Sequence, residues 1–304
     1  MKAVVLLQGG QGNVLMSTQI VRELKNIYEK IYIVSYYDWW GRMLQDECPE
    51  KFSAINLQVL PQLAVEVMRS PKDWHWLQNI VYMQNDFMLR KSHFYNELRR
   101  VWGLPEGDVL PPYLAAVPDS LPFVSQIANG LGKFVVFCRR GGMPVPINGQ
   151  QAPAPIKEEV GLLREYPEYL SKKLVAAIKK RGLRVLQCKL DNEPLVEGCD
   201  VLPQIVPMPI WHEIIKRAEC VVTIDSCLMH VSAADAKKMV VIWRETSPEQ
   251  FGYKRDNIIN LMPKDYKPIA PLMSAVPDTP ICEPAGVDEI INAMFETKKN
   301  GSNN

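Results

Sequence analysis

The run from Cys220 to Trp243 constrains this chain more than any other part of it. Cys220-Val-Val-Thr-Ile reads as a short buried strand ending at Asp225. A helix follows at once over 226–237, and Met239-Val-Val-Ile-Trp reads as the next strand. A strand, a helix and a strand joined this tightly require parallel pairing through a right-handed crossover, hence an open α/β sheet. Ligands of such sheets bind outside the carboxyl ends of the strands. The first-turn amides of Ser226, Cys227, Leu228 and Met229 lack helical acceptors, and the helix dipole favours an anion beside them. Asp225 can cap the helix or accept sugar hydroxyls. His230, one turn on, reaches toward the same crevice. Each residue alone fits a plain helix cap or a satisfied helix side chain; their convergence at one strand end points to an anion site.

The rest of the chain repeats the alternation. Ala3 to Leu7 is apolar and runs into the loop Gln8-Gly-Gly-Gln-Gly-Asn13. A helical pattern follows, with Val14, Leu15, Ile20, Val21 and Leu24 on one side, and then a strand over 31–34. Residues 39–103 read as mostly helical and aromatic-rich; Trp74, Trp76, Tyr82, Phe87, Phe94 and Tyr95 are taken as packing residues. Five prolines between Leu104 and Phe123 indicate extended chain, with the inter-domain linker at 118–132. From Lys133 a second series begins: strands over 134–138, 184–188, 220–224 and 239–243, helices over 169–181, 211–218 and 226–237, and a last helix over 287–298. A length of 304 residues suits two domains. The expected organisation is an N-terminal Rossmann-like domain over 1–125 and a C-terminal Rossmann-like domain over 126–285. A helix over 286–298 and a disordered tail over 299–304 complete it.

Composition narrows the function classes. Hydrophobic residues make up 47% and charged residues 23%, the profile of a globular protein. A net charge of +1 offers no electrostatic argument for nucleic acid, although a local basic groove is compatible with it. The seven cysteines are odd in number and fit no CxxC or zinc spacing, so they read as buried thiols in a reducing compartment. Met1 to Leu7 is too short for a signal-peptide core, and no stretch approaches the ~18 apolar residues of a membrane span. The expectation is a soluble cytoplasmic protein, with room for peripheral membrane contact.

A second anchor is Phe137-Cys-Arg-Arg-Gly-Gly142, at the end of the first strand of the second domain. Two arginines beside glycines at a strand end can clamp a diphosphate, so Arg139 and Arg140 are candidate donor-binding residues. A nucleobase would sit near Lys189 to Asp191 and the Pro207-Met208-Pro209 loop. Gly12 permits close backbone approach. Read alone, the glycine loop is a weak dinucleotide fingerprint: Leu15 stands where a third small residue belongs, and Asp38 would have to supply the ribose-binding acid. That oxidoreductase reading leaves the second domain's motif unused.

Asp225-Ser226-x-x-Met229-His230, the small residues Ser232-Ala-Ala234, the following strand, Thr246-Ser-Pro248 and Phe251-Gly-Tyr253 resemble the C-terminal half of the heptosyltransferase family (glycosyltransferase family 9). That family's pattern is Asp-Ser/Thr-Gly-x-x-His, an alanine-rich helix, a valine-rich strand and Thr-x-Pro. The opening segment Gly12-Asn-Val-Leu-Met-Ser-Thr18 is similar to the family's Gly-Asp-x-Leu start. The resemblance implies a GT-B fold, an inverting and metal-independent transfer, no cofactor, a nucleoside diphosphate sugar donor and a glycan or glycolipid acceptor. The absence of an Asp-x-Asp motif agrees with this. Two positions depart from the family. Cys227 replaces its glycine, and Asn13 replaces the aspartate thought to act as general base, which an amide cannot be. Asp38, just past the second strand, is the first substitute, and Asp86 the second. The Arg-Arg-Gly stretch is also similar to the His-x-Arg-Arg-Gly-Asp motif of certain fucosyltransferases. A fucosyl-like or DNA-base-modifying transferase, or a catalytically inactive nucleotide-sugar-binding protein, are therefore the competing readings.

Overall fold

The computed structural model describes residues 1–35, 37–56, 59–81, 84–88, 92–116, 120–141, 165–189, 193–244, 246–266 and 282–296. Two parallel sheets organise the chain. The first comprises β1 (Lys2–Leu7), β2 (Lys30–Ser35), β3 (Phe52–Ile55) and β4 (Trp74–Gln78) in the order β3-β2-β1-β4. The second comprises β5 (Phe134–Cys138), β6 (Arg184–Gln187), β7 (Cys220–Ile224), β8 (Met239–Ile242) and β9 (Ile258–Leu261) in the order β6-β5-β7-β8-β9. Each sheet reverses direction beside its first strand, between β1 and β4 and between β5 and β7. A crevice opens at such a reversal, because successive crossovers leave toward opposite sides.

On the first domain lie α1 (Gln11–Glu23), α2 (Asp38–Glu47), α3 (Leu60–Arg69), α4 (Asn85–Met88) and α5 (Phe94–Val101). The second carries α6 (Leu121–Leu131), α7 (Glu168–Lys179), α8 (Met208–Ile215), α9 (Cys227–Asp235), α10 (Pro248–Phe251) and α11 (Val287–Phe295). Strands β5, β7 and β8 are buried throughout, as expected of a parallel sheet covered on both faces. One apolar cluster crosses the domain boundary, joining Val14 and Leu15 of α1 to Trp211 of α8 and Leu228 and Met229 of α9. Among the described residues no helix is long and apolar enough to cross a membrane.

Three sequence expectations are corrected here. Residues 39–103 are mostly helical as expected, but two strands were missed there: β3 and β4 interrupt the helices, and Trp74 and Trp76 belong to β4. Both strands are short and flank the sheet, where aromatic side chains serve as strand formers. The stretch 118–132, expected as linker, contains α6, which packs on α8. Its Pro122 sits in the first helical turn, where a missing N–H costs nothing. Strand β9 was not anticipated. The tail over 299–304 and residues 142–164 lie outside the described residues.

Candidate functional site

The second domain's crevice is built by side chains. Ser226 leaves β7 in extended conformation (φ −150°, ψ 169°) and becomes the N-cap of α9. Its hydroxyl accepts from the Met229 N–H at 3.4 Å and lies 3.1 Å from the Thr223 hydroxyl. The Met229 amide is thereby occupied, and the amides of Cys227 and Leu228 head the helix. Across the crevice, the chain leaving β5 presses Gly141 on this turn: a Cβ there would lie 2.5 Å from the Asp225 carbonyl oxygen. Only glycine permits that approach. Asp225 is buried and close enough to Tyr253 to add to the burial that pushes the phenol's pKa far up.

Arg139 departs from its expected role. It is 2% exposed and points into the domain, where it forms an ion pair with Glu165, lies 3.4 Å from Glu193, and donates to the Tyr166 carbonyl. Arg140 is the outer partner of the same carboxylate. It is 34% exposed and donates to Glu165 Oε2 from Nε and Nη2 at 3.0 and 2.8 Å. Residues 140 and 165 form an antiparallel bridge. Successive side chains on extended backbone start on opposite faces, and the two arginines reach the one Glu165 carboxylate with Arg139 buried and Arg140 on the solvent side. Glu165, held between them, carries no motif that sequence reading could have used.

The first domain's crevice is built by backbone. Gly9 adopts φ +87°, a region that favours glycine. Gly10 caps α1 without any side-chain bond. Behind the loop, Asn79 at the end of β4 accepts from the Gln8 N–H at 2.7 Å and donates to the Gln8 carbonyl at 3.0 Å, clasping the two strand ends at the sheet reversal. Asn79 was missed because its strand was read as helix. Asn13 leans back on the loop, its Nδ2 2.9 Å from where a Gly9 Cβ would stand. Asp38 is the first residue of α2; its side chain lies outside the description. Asp86, in α4, is exposed.

The two helix starts meet at the domain junction. The Cys227 thiol approaches Gln11 Oε1 at 3.8 Å. The His230 ring lies against Gly12, where a Cβ would come within 2.9 Å of Cδ2 and 3.2 Å of Nε2. His230 Nδ1 is 2.9 Å from the Tyr253 hydroxyl, and the rings meet edge to face. His93, the N-cap of α5, accepts from the Tyr95 N–H at Nδ1 and donates from Nε2 to the Gly252 carbonyl at 2.9 Å. That pair of bonds requires a neutral ring. Burial lowers the His93 pKa to about 4, with His230 and Lys254 nearby adding to the effect against the Gly252 bond. Gln250 donates to the Phe87 carbonyl at 2.7 Å, and Phe87 meets Phe251 edge to face. The segment 246–253 therefore docks α10 on the first domain.

Of the remaining candidates, Lys189 lies half-buried two residues beyond β6; residues 190 and 191 are outside the description. Met208 opens α8 and packs against the inter-domain cluster. The structure thus brings Gly12, Cys227 and His230 together, keeps Ser226, Leu228 and Met229 directly behind them, and turns Arg139 away. Among the described residues, no three His, Cys, Asp or Glu side chains are grouped to hold a metal ion.

The family model described as glycosyltransferase family 9 (heptosyltransferase) matches residues 166–270, a segment that contains both Asp225–His230 and Thr246–Tyr253. No curated protein matches the chain. Three solved structures share its fold. A glycosyl transferase family 9 protein from Veillonella parvula is 14% identical with TM-score 0.65, covering 96% of this chain and 95% of that one. The E. coli ADP-heptose lps heptosyltransferase II is 16% identical with TM-score 0.58, covering 97% and 98%. The E. coli heptosyltransferase WaaC with ADP is 12% identical with TM-score 0.51, covering 86% and 93%. The fold is thus the two-sheet GT-B arrangement of these proteins, and the second domain carries the family's matched segment.

Proposed function

We propose that this chain, a glycosyltransferase by its fold and by the family match of its second domain, is an inverting and metal-independent enzyme of the cytoplasm. It would move a sugar from a nucleoside diphosphate sugar to a hydroxyl of a glycan or glycolipid. The apposition of the two crevices, with His230 of α9 seated on Gly12 of α1, is the observation that carries this reading. The structural neighbours named for ADP and ADP-heptose make an ADP-linked heptose the first donor to test.

In this reading the Cys227 and Leu228 amides and Arg140 neutralise the diphosphate as the glycosidic bond breaks, which is stabilisation of charge developing in the transition state. Arg139 acts behind them by holding Glu165. The Tyr253 phenol keeps its proton, since burial raises its pKa. It can donate to His230 Nδ1, leaving the Nε2 proton directed at the α1 turn. Asp225 orients the sugar, and Lys189 and Met208 flank the nucleobase. On the acceptor side, Asn13 orients the hydroxyl and Asp38 takes its proton.

A thermal-shift series over nucleoside diphosphates and their sugars tests the binding half, because a ligand specific for the folded state raises the midpoint by mass action. A selective rise with ADP and ADP-heptose is expected; no rise with any nucleotide would remove the reading. Turnover of labelled donor tests the chemical half. Asn13 in place of a carboxylate favours one alternative, an inactive nucleotide-sugar-binding protein, and binding without transfer or hydrolysis would select it.

A further inference from the structure

Three of the seven cysteines converge at the floor of the second domain's crevice: Cys138 ends β5, Cys188 follows β6, and Cys227 begins α9. The β5–β6 register pairs Phe137 with Gln187, and the Cys188 N–H bonds the Phe137 carbonyl at 2.8 Å, so pairing continues one step further. Cys138 and Cys188 are then directly opposite each other. Both face the inter-domain cluster, with Val136 and Leu186 one pleat below. Neighbouring strands lie about 4.8 Å apart, inside the ~4.4–6.8 Å Cα span of a disulfide. The two thiols are close enough for each to shift the other's titration. Cys138 in turn donates to the Arg140 carbonyl at 3.3 Å and lies 3.7 Å from Ser226 Oγ.

Cys199, Cys220 and Cys227 behave differently. Burial pushes Cys199 and Cys220 up to about 12 and raises Cys227 further. Cys138 is lowered instead, chiefly by the neighbouring Cys188 thiol, which is itself raised well above the usual thiol range. Thiolate character selects the sulfur that reacts with peroxide.

We infer that Cys138 and Cys188 form a dithiol that hydrogen peroxide converts to an intramolecular disulfide, a modification site beneath the nucleotide crevice. The Cys138 sulfur attacks one peroxide oxygen; the S–O bond forms, the O–O bond breaks and hydroxide leaves to be protonated. The Cys188 sulfur then displaces water from the resulting sulfenic acid, its own proton leaving with that water. Two thiols lose two electrons and one peroxide becomes two waters. Bridging draws the ends of β5 and β6 together and shifts Cys138 away from Ser226, which disturbs the cap of α9. That this silences donor binding rests on the proposed function; that the disulfide forms does not.

The test treats the full chain with hydrogen peroxide, blocks remaining thiols with N-ethylmaleimide and maps the peptides by mass spectrometry. A Cys138–Cys188 linked peptide, lighter by two hydrogens and released by dithiothreitol, is expected in the parent, in Cys227→Ser and in Cys48→Ser. In Cys188→Ala, a dimedone adduct should appear on Cys138. Linkage through Cys227, or modification confined to Cys48 with both partners still free, would overturn the inference. The ADP thermal shift of the reduced chain is read separately. Its absence would remove the functional reading while leaving the linked peptide to decide this one. If ADP shifts the reduced chain, peroxide should abolish that shift and dithiothreitol restore it.

Discussion

The two helix starts that meet at the junction are made by opposite means. That of α1 is shaped by glycine: Gly9 at φ +87°, Gly10 without a side-chain cap bond, and Gly12 yielding its Cβ space to His230. That of α9 is shaped by side chains, with Ser226 capping Met229, Thr223 beside it and Gly141 the one bare position. The first leaves backbone exposed to whatever enters; the second is a closed platform whose groups are set before a ligand arrives. On the proposed reading the platform holds the donor, and the glycine turn, with Asn13 leaning on it, meets the acceptor.

The sharpest way to break this division is to move the chemistry. If the first domain supplies the base, Asp38→Asn should lower turnover by roughly 10²–10⁴-fold, the usual worth of general-base help, while the ADP midpoint shift stays near that of the parent. Parent-like turnover would pass the role to Asp86 or to no first-domain carboxylate. The rigidity of the platform is tested next. Arg139→Ala removes the buried cation shared by Glu165 and Glu193, leaving them Arg140 and Gln187, and should cost about 3 kcal/mol in urea unfolding. Arg140→Ala should cost about 1 kcal/mol or less of stability, given its exposure, and act on ADP affinity instead. The reverse pattern would restore Arg139 to the crevice.

A finer test sets glycine against glycine. Gly141→Ala meets the Asp225 carbonyl and should destabilise by about 1–3 kcal/mol. Gly10→Ala meets nothing within 4 Å and should cost no more than the cap preference, about 0.5–1 kcal/mol. Equal effects would erase the contrast between the two turns. A pH series tests the contact of His93 with the Gly252 carbonyl. His93 titrates near 6.5 when unfolded and at about 4 when folded, so the unfolded chain binds more protons between those values. Its contribution is complete above pH 6.5, is lost as the pH falls toward 4, and is flat below. Allowing for partial exposure, the loss should be on the order of 1–2 kcal/mol. Urea melts across that range should show it, and His93→Gln should flatten it.

Much of this molecule was legible as sequence because its information is local. The strand ending at Asp225, the helix that follows and the glycine loop after β1 are set by apolar runs, caps and breakers within a few residues, and the architecture followed from their alternation. Strands β3, β4 and β9 were not legible, because four or five residues at a sheet flank become strands only by pairing with a neighbour supplied from elsewhere. The same holds at the site. No local rule says that Arg139 turns inward, since its partners Glu165 and Glu193 are distant in the chain. Nor does any say that Asn79 clasps Gln8, or that Gly12 is bare to admit a histidine from the other domain. The sequence determined which groups stand at the strand ends. Packing between segments far apart in the chain decided which of those groups face the crevice, because burial and pairing depend on atoms that no single segment contains.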